Sequence, residues 1–218
     1  MPSPGQRTAA VLTGDLIGST KAAPSALEDA IDLLAETARA ITDWVPGPSA
    51  SRFTRYRGDG WQMHVADPGL ALRAVLLLSA RLRAADLGLA TRAAIGIGPV
   101  ESLGTASLAD ARGPVFEASG RALDHMARTR RLAIEGEGVT ALHRIVVDLL
   151  DERTERWTRQ QAEAMYLALP LRKDEPTLAE LAAPLGISAQ AVNYRLSGAG
   201  APAIRRSLRA WEETFARA

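Results

Sequence analysis

The 218-residue chain contains no cysteine, and aromatic residues make up only 5% of it. The lack of cysteine excludes disulfide bonds, thiolate metal ligands and cysteine nucleophiles. No apolar run reaches the ~18 residues that a membrane-spanning helix needs, because arginines interrupt the richest stretch, residues 70–87. The N-terminus also lacks the apolar core of a signal peptide. These absences predict a cytoplasmic protein with no membrane partner.

Excess charge of one sign is also missing, because 26 basic residues stand against 25 acidic ones. Nucleic-acid-binding proteins usually carry a basic excess, so the net charge of +1 argues against such a partner if the charge is evenly spread. The charge is not evenly spread. Residues 181–211 contain no Asp or Glu but hold four arginines, namely Arg195, Arg205, Arg206 and Arg209.

The first part of the chain alternates strand and helix patterns. The predicted elements are a strand at 8–15, a helix at 25–44, a hairpin at 51–57 and 61–65, a helix at 70–87, a strand at 90–100, a helix at 114–131 and a strand at 132–136. Ser25 and Glu28 fit a capping box for the first helix. This order is that of a ferredoxin-like fold, an α+β sandwich in which helices cover one face of the sheet.

Two carboxylates stand at turns of this predicted sheet. Asp15 ends the first strand and Asp59 lies in the hairpin turn, so pairing of the first strand with the second hairpin strand brings them to one end. Convergent carboxylates suit Mg²⁺ or Mn²⁺. The backbone N–H groups that follow could hold phosphate oxygens, and they belong to Leu16, Ile17, Gly18, Ser19 and Thr20. Turn chemistry alone also favours Asp at such positions, so an ordinary turn is the alternative.

Three segments resemble those of class III nucleotidyl cyclases. Residues 15–20 look like the Asp-Ile-x-Gly-Phe-Thr segment, and Gly58-Asp59 looks like the hairpin Gly-Asp of that family. Residues 110–121 have the spacing of the family's Asp-x-x-Gly-x-x-x-Asn-x-x-x-Arg segment. The resemblance covers about residues 8–136, and it implies a homodimer with the site across the two-fold interface.

The resemblance also implies roles for individual residues. Asp15 and Asp59 would bind two metal ions, Asp110 would contact a purine base, and Arg121 would stabilise charge on a transferred phosphoryl group if the protein is active. Two positions depart from the family: Arg55 replaces a base-selecting lysine, and Glu117 replaces an orienting asparagine. These departures favour nucleotide binding over cyclisation, and Glu117 would have to point away or pair with Arg121.

Residues 177–196 carry the pattern of a helix-turn-helix. Thr177 and Glu180 form a capping box, Gly186 supplies the turn, and Ser188 caps the second helix. Ala182 and Val192 are small and apolar where the two helices would pack together. The combined architecture resembles the bacterial SatD-like proteins, in which a degenerate cyclase-like domain precedes a helix-turn-helix.

Polar side chains of this motif are candidates for contact with double-stranded DNA. Amides suit adenine edges, arginine suits guanine, and either type of group can hold phosphate. The candidate residues are Ser188, Gln190, Asn193, Tyr194, Arg195, Arg205, Arg206 and Arg209. The alternative is a three-helix packing module whose arginines form a solvated face.

Together these patterns predict three regions. Residues 1–138 form a cyclase-like domain for nucleotide sensing and dimerisation, 139–175 are connecting helices, and 176–218 form a helix-turn-helix domain. The predicted function is a dimeric transcription regulator that binds ATP, GTP or a cyclic nucleotide with Mg²⁺ or Mn²⁺. The alternatives are an active nucleotidyl cyclase with a DNA-binding tail, and an empty scaffold that only dimerises.

Overall fold

Five strands form one mixed sheet in the first two thirds of the chain. The computed structural model describes residues 8–45, 52–56, 58–105 and 107–216. The strands are β1 (Thr8–Ile17), β2 (Arg52–Tyr56), β3 (Gly60–Val65), β4 (Ala90–Pro99) and β5 (Leu132–Gly136). Their order in the sheet is β2-β3-β1-β4-β5, and only the β4–β5 pair is parallel. Ser51 and Arg57, the ends of the first predicted hairpin strand, lie outside the described residues.

Eight α-helices accompany the sheet in the described part of the chain. They are α1 (Pro24–Thr42), α2 (Ala71–Ala85), α3 (Pro114–Asp124), α4 (Ala141–Glu155), α5 (Arg159–Ala168), α6 (Leu178–Ala182), α7 (Ala189–Ala199) and α8 (Ala201–Ala216). A helix-rich C-terminal half follows a sheet-containing N-terminal half, so the α+β class is confirmed. Among the described residues, no helix combines the length and the apolar character that crossing a membrane requires.

Helices lie on both faces of the sheet, so the expectation that they cover one face is wrong. Leu12 and Ile95 belong to the main core with residues of α1 and α2. The opposite face contacts α3, where Thr13 and Ser119 share a 2.7 Å hydrogen bond. Gly96 permits this close approach, because a Cβ atom there would lie 2.3 Å from the Val115 carbonyl oxygen.

Tertiary contacts also change two local predictions. The capping box at Ser25 is wrong, since α1 begins at Pro24 without a side-chain cap and Glu28 instead pairs with Arg55. Helix α3 ends at Asp124 rather than at residue 131. A turn in which the Arg130 N–H donates to the Ala127 carbonyl at 2.9 Å then leads the chain into β5.

Helix α2 connects the sheet to the C-terminal helices. Its side chains are buried on nearly every side, including those of Leu72, Leu76 and Leu78. The same core cluster continues through α5 and α7 to Trp211 of α8. A buried arginine of α2, Arg73, donates to Glu212 at 2.6 Å and to the Leu169 carbonyl at 2.9 Å. The sheet and the C-terminal helices therefore share one continuous core.

Replacing Gly96 by alanine tests the close packing of α3 on β4. The added methyl group would meet backbone atoms of α3 that can move only with the helix, so we expect G96A to lower the free energy of unfolding by about 1–3 kcal/mol. Urea denaturation monitored by circular dichroism measures this change. The matched control is G120A on α3, where a Cβ meets nothing within 4 Å. We expect the control to be neutral or to stabilise by up to about 1 kcal/mol; equal losses in both variants would contradict the packing.

Candidate functional site

The carboxylate of Asp15 is held by an arginine on the neighbouring strand. Asp15 of β1 stands opposite Arg92 of β4 in the antiparallel register. The Arg92 Nε donates to Oδ1 at 2.8 Å, and Nη2 donates to Oδ2 at 2.7 Å. Hydrogen bonding to Asp15 raises the pKa of Arg92, and the negative charges of Asp59 and Asp124 act in the same direction. The positively charged guanidinium of Arg92 therefore occupies the position next to Asp15 near the end of β1.

The loop after β1 is tied to the hairpin turn. The expectation that Asp15 ends the strand and that Leu16 and Ile17 belong to the loop is wrong, because both are the last residues of β1 and stand opposite Thr91 and Ala90 of β4. Leu16 is buried and Ile17 is 39% exposed, and the loop begins at Gly18, which takes a left-handed conformation with φ of 92°. Ser19 and Thr20 then begin a 3₁₀ turn, Ser19–Lys21, and the Ser19 hydroxyl donates a short hydrogen bond to Asp59.

The β1–β3 pairing, with Gly14 opposite Trp61, places both turns at one end of the sheet. Asp15 and Asp59 therefore lie at the same end of the sheet, where Asp15 pairs with Arg92 and Asp59 accepts a hydrogen bond from Ser19.

These residues do not fit a divalent metal ion in this arrangement. Both oxygens of Asp15 accept hydrogen bonds from Arg92, and Asp59 accepts one from Ser19. Mg²⁺ is usually held by one or two carboxylates whose oxygens are free to coordinate it, with water in the rest of its near-octahedral shell. No group of three His, Asp or Glu side chains in the described ranges is placed to hold a metal ion. A metal at Asp15 would have to displace the guanidinium first.

The other residues predicted for nucleotide binding engage their own neighbours. Arg55 pairs with Glu28 through hydrogen bonds of 2.7 and 3.0 Å and also donates to the Gly58 carbonyl at 3.0 Å. Hydrogen bonding in this exposed pair raises the pKa of Arg55 and lowers that of Glu28. Arg55 thus braces the hairpin turn against α1.

The segment expected to contact the base and phosphates lies on other elements. Asp110 ends a 3₁₀ turn, Leu108–Asp110, while Glu117 and Arg121 lie on α3. Arg121 lies 3.6 Å from Glu117 and 3.9 Å from Glu135, so of the two alternatives left open for Glu117 the structure has the pairing with Arg121. No hydrogen bond or ion pair of the described residues joins this group to Asp15 or Asp59 within one chain.

The C-terminal helices α6 and α7 are joined by a tight turn. Thr177 and Glu180 form the predicted capping box of α6, and Gly186 adopts φ of 62° in the turn. Ser188 caps α7 by accepting a hydrogen bond from the Ala191 N–H at 3.2 Å. Val192 of α7 is fully buried, and Ala182 of α6 is 6% exposed. Each of these local predictions is confirmed.

One face of α7 presents uncharged polar side chains to solvent. Gln190, Asn193 and Tyr194 are all exposed, and Tyr194 reaches 81%. They stand at positions i, i+3 and i+4, so they share one side of the helix. The opposite side of α7 is buried through Val192 and Leu196. The polar face is therefore held outward by the packing of the apolar one.

Three of the four arginines expected to touch DNA are paired within the chain. Arg195 donates to Glu163 of α5 at 3.1 Å. Arg205 and Arg209 of α8 donate to Glu175 at 3.3 and 2.8 Å. Arg206 is exposed on α8, and no described residue forms an ion pair with it.

Three functional residues were not predicted from the sequence, namely Arg92, Glu163 and Glu175. A signal existed for Arg92, since it is the one charged residue in the otherwise uncharged strand Ala90–Pro99. No local pattern marks Glu163 and Glu175 as partners of arginines about 30 positions away, because those contacts depend on how the helices fold together.

In comparisons with known proteins, no family model matches the chain, and no curated protein matches it either. The resemblances to cyclases and to SatD-like proteins therefore stay predictions, carried by the residues that suggested them.

Replacing Ser188 by alanine tests how α7 is held. Loss of the cap leaves the Ala191 N–H without its side-chain partner, and we expect the free energy of unfolding to fall by about 1 kcal/mol. Thermal and urea denaturation measure it. S197A is the control, because Ser197 is exposed on the same helix and its hydroxyl makes no described hydrogen bond. An equal effect of the two substitutions would contradict the capping role.

Proposed function

We propose that the protein is a dimeric, DNA-binding transcription regulator whose N-terminal domain senses a purine nucleotide. The observation that carries the proposal is the uncharged polar face of α7, with Gln190, Asn193 and Tyr194 projecting from a helix whose other side is buried. A helix that enters the major groove needs such a face to hydrogen-bond with base edges.

The geometry around α7 supports a helix-turn-helix. The capped helix α6, the left-handed Gly186 and the capped helix α7 follow one another in the order of that motif. Helix α5 packs against α7 and supplies the third member of a small helical unit. In this interpretation α7 is the recognition helix and the amide groups of Gln190 and Asn193 read adenine edges.

The arginines near α7 would serve the phosphate backbone. Arg206 is exposed, and Arg205 and Arg209 are held by the exposed Glu175. Solvent-exposed ion pairs contribute about 0–1 kcal/mol, so a DNA phosphate can replace Glu175 at Arg209, whose side chain is 55% exposed, at small cost. Arg205 is less accessible, because its side chain is only 21% exposed. Arg195 contributes differently, because its bond to Glu163 fixes α7 on α5.

The strand order of the first domain supports a ferredoxin-like, cyclase-like arrangement. Its first four strands have the order β2-β3-β1-β4, with every neighbouring pair antiparallel. The Gly18 turn and the Ser19–Asp59 hydrogen bond preorganise the loop whose N–H groups would face a phosphate. This arrangement favours a binding role, since Arg121 is paired with Glu117 and Glu135 and would have to leave these carboxylates to act on a phosphoryl group.

The proposed nucleotide site would be formed by two copies of the chain. Residues resembling the base and phosphate contacts are not brought to Asp15 within one chain, as a site shared across a two-fold axis requires. Helix α4 also turns Leu142, Ile145 and Leu149 to solvent at 72%, 51% and 66% exposure, an apolar stripe that a partner would cover. Two recognition helices would then address two half-sites about one duplex turn apart.

Substitutions on α7 test DNA binding directly. We expect N193A and Y194A each to weaken binding to a duplex selected from a random library by about 5- to 150-fold, because a lost base contact costs about 1–3 kcal/mol. Binding to unrelated duplexes should change little. Fluorescence anisotropy at fixed salt concentration measures both affinities.

Arginine variants supply the matched control. R206A should weaken both selected and unrelated duplexes and reduce the salt slope by about one. R39A removes the same charge from the exposed surface of α1 and should leave both affinities unchanged. Wild-type protein that selects no sequence, or N193A and Y194A that behave like R39A, would contradict the recognition role of α7.

A ligand screen tests the sensor. At a ligand concentration of about 100 times Kd, a bound nucleotide should stabilise the fold by about 2.7 kcal/mol, which raises Tm measurably. We expect ATP or GTP to do so in the wild type, and D59A to lose the shift because Asp59 holds Ser19. D29A on the exposed surface of α1 should retain it. The sensor fails if no purine nucleotide raises Tm.

A further inference from the structure

Near the end of β1, the carboxylate of Asp15 is paired with a cationic side chain of the same chain, Arg92 of β4. The carboxylate of Asp15 accepts from Arg92 through both of its oxygens, at 2.7–3.0 Å. Fork-shaped pairing of a guanidinium with a carboxylate is the strongest geometry available to these two groups. Asp59 lies close enough for its charge to act on the same guanidinium. Arg92 thus engages both of the Asp15 oxygens that a divalent ion would need as ligands.

The register of β1 and β4 places Asp15 and Arg92 next to each other. Asp15 and Arg92 are directly opposite in the β1–β4 ladder, so their side chains emerge on the same face of the sheet. Their side chains are 27% and 32% exposed, which places the pair at the rim of the core rather than in open solvent. A guanidinium does not lose its proton in proteins, so Arg92 cannot yield to a metal by becoming neutral.

Arg92 also keeps donor capacity for an anion. Its Nε and Nη2 groups serve Asp15, whereas Nη1 donates to none of the residues that the structure describes. Arg92 lies on β4, and its partner Asp15 lies near the end of the neighbouring strand β1. The loop that follows β1 contains the left-handed Gly18 and the 3₁₀ turn that begins at Ser19. A phosphate oxygen placed there would meet a fixed positive charge and backbone N–H groups without any bound metal.

We propose that Arg92 replaces the divalent cation at this site, so that the N-terminal domain binds the phosphates of a purine nucleotide in the absence of Mg²⁺ or Mn²⁺. The phosphate part of this inference rests on the proposed sensing function. The exclusion of the metal rests on Arg92 and Asp15 alone, and it can be tested without a nucleotide.

Titration with Mn²⁺ alone, followed by electron paramagnetic resonance of the free ion, tests the exclusion. We expect wild-type protein to take up no Mn²⁺ at micromolar concentrations. R92Q, which leaves Asp15 without its cation, should bind Mn²⁺ about tenfold or more tightly than the wild type, and the double variant D15N/R92Q should lose that gain. R39Q is the matched control, since it removes an exposed arginine far from the site.

Two Mn²⁺ outcomes overturn the proposal. One is micromolar Mn²⁺ binding by the wild type that D15N abolishes. This comparison does not need the R92Q variant, so it tests the exclusion of the metal even if R92Q does not fold. The other is a folded R92Q, judged by circular dichroism and Tm, that binds Mn²⁺ no better than the wild type. In that case Arg92 is not the group that excludes the metal.

Nucleotide titrations separate this proposal from the sensing function. ATP and GTP, measured by calorimetry, should bind the wild type with affinities that agree within about twofold in EDTA and in Mg²⁺, and R92Q should weaken binding in EDTA by about tenfold. Binding that requires Mg²⁺ overturns the metal-free site. If neither ATP nor GTP binds in EDTA or in Mg²⁺, both the proposed sensing function and the proposed phosphate binding are wrong. The Mn²⁺ titration then still tests whether Arg92 excludes the metal.

Discussion

The two-sided burial of α2 is the constraint on which the rest of the molecule depends. A helix with Leu72, Leu76 and Leu78 fully buried can exist in water only if other elements cover it on all sides. The sheet covers one side, and α5 together with α8 covers another. Arg73 strengthens the second contact, because its guanidinium reaches both Glu212 and the Leu169 carbonyl.

This shared core has a consequence for function. Helix α7 packs on α5, and α5 packs on α2, so the proposed recognition helix is connected to the sheet through buried contacts rather than through a free linker. A change at the end of β1 can therefore act on α7 through packed elements if those elements have two arrangements. The Arg195–Glu163 pair lies at the helical end of that path, whereas the Asp15–Arg92 pair lies on the α3-facing side of the sheet, on the same face as Thr13 and Ala94.

Much of the fold follows from local sequence patterns, and the exceptions have physical reasons. The caps at Thr177 and Ser188 could be predicted because a cap depends on residues three positions apart. The cap at Ser25 could not be excluded in the same way, since Glu28 forms its bond with Arg55 on a strand far along the chain. The placement of α3 on the second sheet face depends on Gly96 meeting the α3 backbone, a contact that only the folded chain reveals.

The candidate site could also be predicted only in part from the sequence. The convergence of Asp15 and Asp59 follows from strand order, which the alternation of elements suggests. The partner of Asp15 depends on the β1–β4 register, and a shift of one residue would send Arg92 to the other face. Sequence patterns therefore located the carboxylates and missed the arginine that pairs with Asp15.

Hydrogen exchange measured by mass spectrometry, on the protein alone and bound to its selected duplex, tests whether α7 is the recognition helix. If α7 enters the major groove, DNA slows amide exchange in α7 and in the adjoining part of α8, while the α3 amides exchange as in the free protein. Saturating DNA that leaves α7 unchanged and slows exchange only on the sheet or on α3 would contradict it.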